Sequence, residues 1–112
     1  MQIDGEHLRL SDIFSVAFEN EPCSIEETAA GLLDERRRSL EIISKEKTIY
    51  GVNTGFGILA DHRISPDDVD ALQKNIVLSH AAGVGEPVQR ELVRAIMLVR
   101  ANSLLKGYSG VR

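Results

Sequence analysis

Tyr50-Gly51-Val52-Asn53-Thr54-Gly55-Phe56-Gly57 is the stretch on which the reading of this chain turns. A tyrosine heads it, and three glycines stand among the next seven residues. Glycine admits positive φ and lets backbone come close to a ligand. Val52 and Phe56 are apolar anchors that a flexible linker would not need, so the segment from Tyr50 to about Ile64 is expected to be a pinned loop. Long loops without repetitive composition are often functional. A second unusual string follows downstream, Leu78-Ser79-His80-Ala81-Ala82-Gly83-Val84-Gly85.

Outward from these strings the chain reads as helix. Ser65-Pro66-Asp67-Asp68 predicts a helix start: a serine N-cap, proline at the first helical position, and acids at the positive end of the dipole. Val69, Leu72, Ile76 and His80 share one face of that helix, and Gly83 and Gly85 break it. Pro87 restarts the chain. A helix from about Val88 to Lys106 is expected, with Leu92, Ile96, Val99 and Ser103 on its inner face and Gly107 at C′. Upstream, Ala29, Leu33, Leu40 and Ile43 form an apolar stripe on a helix from about Glu26 to Lys45, with Arg36 at its margin. Glu41 and Lys45 are an i,i+4 pair on the same helix. Ser11 is the expected N-cap of a short helix through Phe18, with Ile13, Phe14 and Ala17 on one side. Glu21-Pro22 ends it, and Pro22 to Ile25 is expected to be extended. The fold class is therefore mainly α.

With 112 residues the chain is expected to form one domain. It has three Phe, two Tyr and no Trp, so its core must be largely aliphatic. A net charge of −4 argues against non-specific nucleic-acid binding, which needs clustered Lys and Arg. The basic cluster Arg36-Arg37-Arg38 is flanked by Asp34-Glu35 and Glu41, the pattern of a solvated helix face. Cys23 is the single cysteine, which rules out an internal disulfide and suits a reducing cytosol. No partner His or Asn is recognisable beside it. No apolar run approaches the roughly 18–20 residues of a membrane span, and Met1 to Arg9 lack the apolar segment of a signal peptide. His7 and His62 stand in polar, loop-like surroundings. The Asp, Glu and His residues show no metal-ligand spacing such as H-E-x-x-H, so no metal is implied.

Gly55-Phe56-Gly57-Ile58-Leu59-Ala60 formally satisfies G-x-G-x-x-A. A dinucleotide fingerprint, however, needs a strand before it and a helix directly after. Here Asp61-His62-Arg63-Ile64-Ser65 intervenes before Pro66 opens a new element. No G-K-[ST] is present, which excludes a P-loop.

The Tyr50–Gly57 and Leu78–Gly85 strings together resemble the amino-terminal part of the ammonia-lyases that use a self-made methylidene-imidazolone (MIO) electrophile. Ser79-His80 followed by Ala-Ala-Gly is most similar to members acting on histidine. The resemblance covers nearly the whole chain, is strongest from Tyr50 to Arg112, and is weak before residue 25. It implies an N-terminal helical segment of a larger all-α lyase fold, in which Tyr50 is a catalytic residue on a mobile loop and His80 touches the substrate side chain. Asn53, Thr54 and Gly57 are then expected either to shape the loop or to meet the carboxylate end of the substrate. A histidine at position 80 suits a polar ring, imidazole or phenol, better than phenyl, because an unpaired buried donor costs about 1–3 kcal/mol. A phenol with a pKa of about 10 is a poor base at neutral pH unless its surroundings lower that value. The resemblance also implies a small amino acid substrate and a homotetramer that assembles each active site from more than one subunit. It implies neither nucleic acid nor membrane.

The family's Ala-Ser-Gly precursor of MIO occurs nowhere among the 112 residues. Gly107-Tyr108-Ser109-Gly110-Val111-Arg112 reads as a turn leading into further structure. The expectation is a single N-terminal segment, inactive alone, whose electrophile, carboxylate-binding arginine and central bundle lie downstream. Two alternatives are a lyase or aminomutase acting on tyrosine or phenylalanine, and a short non-catalytic module that binds amino acids or a full-length lyase.

Overall fold

In the computed structural model, which describes residues 1–111, β1 (Gln2–Ile3) is followed by α1 (Leu10–Phe18) and β2 (Ser24–Ile25). Then come α2 (Glu27–Glu46), a 3₁₀ turn (Gly57–Leu59), α3 (Pro66–His80) and α4 (Arg90–Leu104). The mainly helical class follows the apolar periodicities. Two compact units divide the chain, one made of residues 1–40 and 86–112, the other of residues 41–85.

In the first unit, α1 begins ahead of the expected cap Ser11. Arg9 holds the cap position in extended backbone, and its N–H donates to the Asp12 carboxylate at 2.9 Å. An acid at the third helical position thus closes the helix start. Pro22 to Ile25 is extended over Ser24–Ile25, and its partner is one the sequence did not reveal. β1 pairs with β2 in parallel, Gln2 opposite Ser24 and Ile3 opposite Ile25. Two residues are too few to display a strand's alternation.

The core of this unit is aliphatic, as the shortage of aromatics required. Ile3, Val16, Ala29, Leu33, Leu98 and Leu105 form one buried cluster. α1 packs against α4. The Arg94 guanidinium fastens that pair, donating from Nε at 2.9 Å and from Nη2 at 2.6 Å to the carbonyl of Val16. The Gly5 N–H donates to Asn102 Oδ1 at 3.0 Å and ties the N-terminal loop to the same helix.

The inner face of α4 differs from the expected one. Leu92, Ile96 and Val99 are 54%, 56% and 47% exposed, and Ser103 is exposed too. The face turned inward carries Arg94, Leu98, Ala101 and, just past the helix, Leu105. α4 has apolar residues on nearly every side, so helical periodicity alone could not choose between two stripes. On α2, Ala29 and Leu33 are buried and Leu40 is half-buried, whereas Ile43 is exposed. α4 ends at Leu104 with Leu105 as its cap, which puts Gly107 one position beyond the expected C′. Gly107 has φ +75°, and its N–H donates to the Leu104 carbonyl at 3.0 Å.

The second unit holds the last turn of α2, the glycine-rich loop and α3. Ser65 is the N-cap of α3, as expected, with Pro66 at its first position. The Ser65 hydroxyl donates to the Asp68 carboxylate at 2.7 Å, and the Asp68 N–H donates to the Ser65 carbonyl at 3.0 Å. The half-buried face of α3 is formed by Val69, Leu72, Gln73 and Ile76. α3 stops at His80, before the glycines that were expected to break it. No described helix is long and apolar enough to cross a membrane.

Candidate active site

Both ends of the glycine-rich loop are fastened, mainly by two polar residues. Asn53 is 7% exposed and Thr54 is fully buried. Asn53 Oδ1 accepts the Ile49 N–H at 2.7 Å, and Nδ2 donates to the carbonyls of Ser44 at 2.7 Å and Lys47 at 2.9 Å. Its backbone accepts the Ile64 N–H at 2.9 Å and donates to the Ile49 carbonyl at 3.2 Å. The Thr54 hydroxyl donates to the Gly55 carbonyl at 2.9 Å and accepts the Gly51 N–H at 3.3 Å. Thr54 also faces Arg63 in an isolated antiparallel bridge, beside a Gly55 N–H that donates to the His62 carbonyl at 3.1 Å.

A helix leaves its last carbonyls without intrahelical partners. The loop supplies those partners here: Asn53 covers Ser44 and Lys47, while Arg63 Nη2 donates to Ser44 at 3.2 Å and to Lys45 at 2.7 Å. The side chains of Asn53 and Thr54 bond to backbone groups of the loop and of the end of α2. Arg63's part was not legible in the sequence, although a cation near a helix C-terminus is a favourable match to the dipole.

The glycines divide the loop into a tight part and an open part. A Cβ on Gly55 would meet Leu59 Cβ at 2.6 Å and the Leu59 carbonyl oxygen at 2.8 Å. Gly57 is in open space, and its φ of +59° alone accounts for a glycine there. The tip beyond it is solvated, with Ile58 98% exposed.

Tyr50 lies where this loop begins. The residue is 63% exposed, and its ring meets Phe56 edge-on, centroids 5.8 Å apart and planes at 73°. The turn after it is closed by the Val52 N–H donating to the Ile49 carbonyl at 3.1 Å, and Gly51 takes φ +75°. The Gly51 carbonyl accepts from Gln73 Nε2 at 3.2 Å, which connects the tyrosine's turn to α3. Gln73 was missed in the sequence, where the one available signal was a polar residue among Val69, Leu72 and Ile76.

His80 is exposed at the C-terminal end of α3. Its Nδ1 lies 2.8 Å from the Ile76 carbonyl and 3.0 Å from Ser79 Oγ. A carbonyl only accepts, so the contact with Ile76 assigns the proton to Nδ1, and in the neutral ring that leaves Nε2 as an acceptor. Ser79 Oγ donates to the same carbonyl at 2.9 Å. Tyr50, Asn53, Gly57 and His80 all belong to the unit of residues 41–85.

Asp4 and His7, outside that unit, are a pair that shifts each other's titration. His7 Nδ1 is 2.5 Å from Asp4 Oδ2, and Asp4 Oδ1 accepts the N–H groups of Glu6 and His7 at 2.8 and 2.9 Å. The hydrogen bond from His7, followed by those two backbone bonds, holds the Asp4 carboxyl below its ordinary value. The same hydrogen bond, reinforced by the carboxylate's charge, raises His7.

A mainly helical chain, with a tyrosine-headed glycine loop and a histidine ending the helix that follows it, defines a class. The chain belongs to the aromatic amino acid lyase family, whose sequence pattern matches residues 8–112. Among individual proteins it is similar to the histidine ammonia-lyase of Streptococcus gordonii, with 46% identity over the whole of this chain and 22% of that protein. Among solved structures it resembles a tyrosine aminomutase from Streptomyces globisporus, with a TM-score of 0.91 and 33% identity over 100% of this chain and 22% of that one. It is also similar to the histidine ammonia-lyase of Trypanosoma cruzi, with a TM-score of 0.87 and 33% identity over 99% and 22%. The chain thus spans about a fifth of the length of the relatives it matches.

Proposed function

We propose that this chain is the N-terminal segment of a histidine ammonia-lyase, and that the whole enzyme converts L-histidine to trans-urocanate and ammonia in histidine breakdown. The similarity to the Streptococcus gordonii enzyme along the full chain carries this reading. In the reaction the Cα–N and one Cβ–H bond break, the Cα–Cβ double bond forms, and nitrogen leaves as ammonia. Tyr50 is the proton-transferring residue, its phenol standing at the solvent-facing start of a braced loop. His80 meets the substrate ring. An Nε2 acceptor recognises the N–H of an imidazole, and it leaves a phenyl ring without a partner for that nitrogen. Asn53 and Gly57 complete the proposed site: Asn53 holds the wall from which Tyr50 projects, and open space at Gly57 admits the substrate's carboxylate end.

In the whole enzyme MIO would supply the electrophile that makes the amino group a leaving group. The residues present cannot generate it, since its Ala-Ser-Gly precursor is not among them. What this chain contributes is the phenol, the imidazole and the braced loop between them. The whole enzyme works as a cytoplasmic homotetramer on a small amino acid substrate.

A preference for tyrosine is the second reading, favoured by the aminomutase likeness and by the ability of Nε2 to accept from a phenol as well. Ammonia release by the full-length protein, offered histidine, tyrosine and phenylalanine in turn, tests both. Histidine should be consumed fastest, and His80→Phe should shift preference away from it. A faster reaction with tyrosine would refute the first reading and support the second. The 112-residue chain alone should release no ammonia.

A further inference from the structure

We propose that Gln73 is a positioning residue that sets the Tyr50 phenol relative to His80, an inference that rests on the roles proposed above for those two residues. Three observations within the unit of residues 41–85 carry it. Gln73 Nε2 donates to the carbonyl of Gly51, the residue next to Tyr50. Gln73 and His80 are seven residues apart on α3, almost two full turns at 3.6 residues per turn, so they share a face about 10 Å apart along the axis. Gln73 is also the only polar member of the half-buried Val69, Leu72, Gln73, Ile76 stripe, where an apolar side chain would serve packing equally well.

The other loop bonds do a different task. Asn53, Thr54 and Arg63 fasten the loop to α2 and to itself. The Gln73 bond joins the tyrosine's turn to the helix that ends in His80. One helix face therefore carries both the substrate-ring residue and the tether of the proton-transferring residue. Gly51 suits this arrangement, because the turn that presents its carbonyl to Gln73 holds it at φ +75°, which glycine adopts without steric cost.

The experiment is a double-mutant cycle in the full-length enzyme, with Gln73→Met, Tyr50→Phe and the two together. Methionine keeps the length and removes the donor. Gln73→Met should lower kcat about 10-fold with KM within about twofold, since small misplacement of a reacting group reaches kcat first. In the Tyr50→Phe background the same change should do almost nothing, because the group it positions is gone. Gln73→Glu, of equal size and with an acceptor in place of the donor, should lower kcat at least as far, and it provides the test if the methionine variant does not fold. Unchanged kcat in either Gln73 variant would overturn the inference. So would a Gln73 effect of equal size with and without the Tyr50 hydroxyl, which would mark Gln73 as structural only. Undiminished turnover in Tyr50→Phe alone would instead overturn the underlying reading of Tyr50, and the inference with it.

Discussion

Replacing Asn53 by alanine should loosen the glycine-rich loop far more than its single carboxamide suggests. The side chain makes three hydrogen bonds, to the Ile49 N–H and to the carbonyls of Ser44 and Lys47. Ser44 keeps a partner in Arg63, whereas the Ile49 N–H and the Lys47 carbonyl lose theirs. Each lost bond is worth about 1 kcal/mol net, and a group left unpaired away from water costs about 1–3 kcal/mol. These two groups lie near the surface, so water can reach the vacated space and the lower end of that range applies. The sum is about 2–4 kcal/mol against local opening. At 1.4 kcal/mol per decade, the open population rises by roughly 30-fold to 1,000-fold. Amide hydrogen exchange reads this directly, since the backbone-bonded N–H groups of Asn53, Gly55 and Ile64 exchange only when the loop opens. They should speed up together by that factor, while amides of α1 and α4 keep their rates. Acceleration of less than about fivefold, equivalent to about 1 kcal/mol, would refute the assignment of Asn53 as the loop's main fastening.

Two glycine substitutions should separate contact from conformation. Gly55→Ala drives a Cβ into Leu59 and should cost about 2 kcal/mol or more, whereas Gly57→Ala meets only its positive φ and should cost about 1 kcal/mol, an order that denaturant midpoints would check. Leu105→Ala, removing a side chain that is 2% exposed in the core of the first unit, should lower stability by about 2–5 kcal/mol in the same assay. The Asp4–His7 pair makes a signed prediction. Its His7 contribution is complete below the ordinary histidine value of 6.5 and is lost as pH rises through the raised folded value. Its Asp4 contribution is complete above the ordinary 3.8 and fades as pH falls through the depressed folded value. Asp4→Asn should therefore bring His7 back down toward 6.5 in an NMR titration, and an unmoved His7 would exclude the carboxylate as the cause.

Helices announced by strong local chemistry were legible. Ser65-Pro66-Asp67-Asp68 located the start of α3 to the residue, because cap, proline and dipole all favour the same point. The apolar stripe of α2 placed Ala29 and Leu33 correctly because the opposite face is charged. α4 has no such contrast, and its buried stripe depends on where Val16 and Ile3 arrive from elsewhere in the chain. The β1–β2 pair was hidden for the same reason, since a two-residue strand is defined by its partner. In the candidate site, the motif located the loop and its tyrosine. It could not say which loop residues face inward. Asn53 and Thr54 are buried because the end of α2 presents carbonyls that need donors, and that demand exists only once the chain has folded back. Gln73 belongs to this group, as its partner is a backbone carbonyl that no sequence pattern displays.

The split of the loop into a braced base and a bare tip has a consequence for anyone reshaping the protein by directed evolution. Libraries spread evenly over residues 50–60 would lose most members to collapse at Asn53, Thr54 and Gly55, where the side-chain bonds and the Leu59 contact permit few replacements. Diversity placed at Ile58 and Leu59, whose outer surfaces are in solvent, would sample new chemistry at the loop's tip while the tyrosine's footing stays intact. The base and the tip can evolve at different speeds, and the eight-residue string that first identifies the chain is made mostly of the slow part.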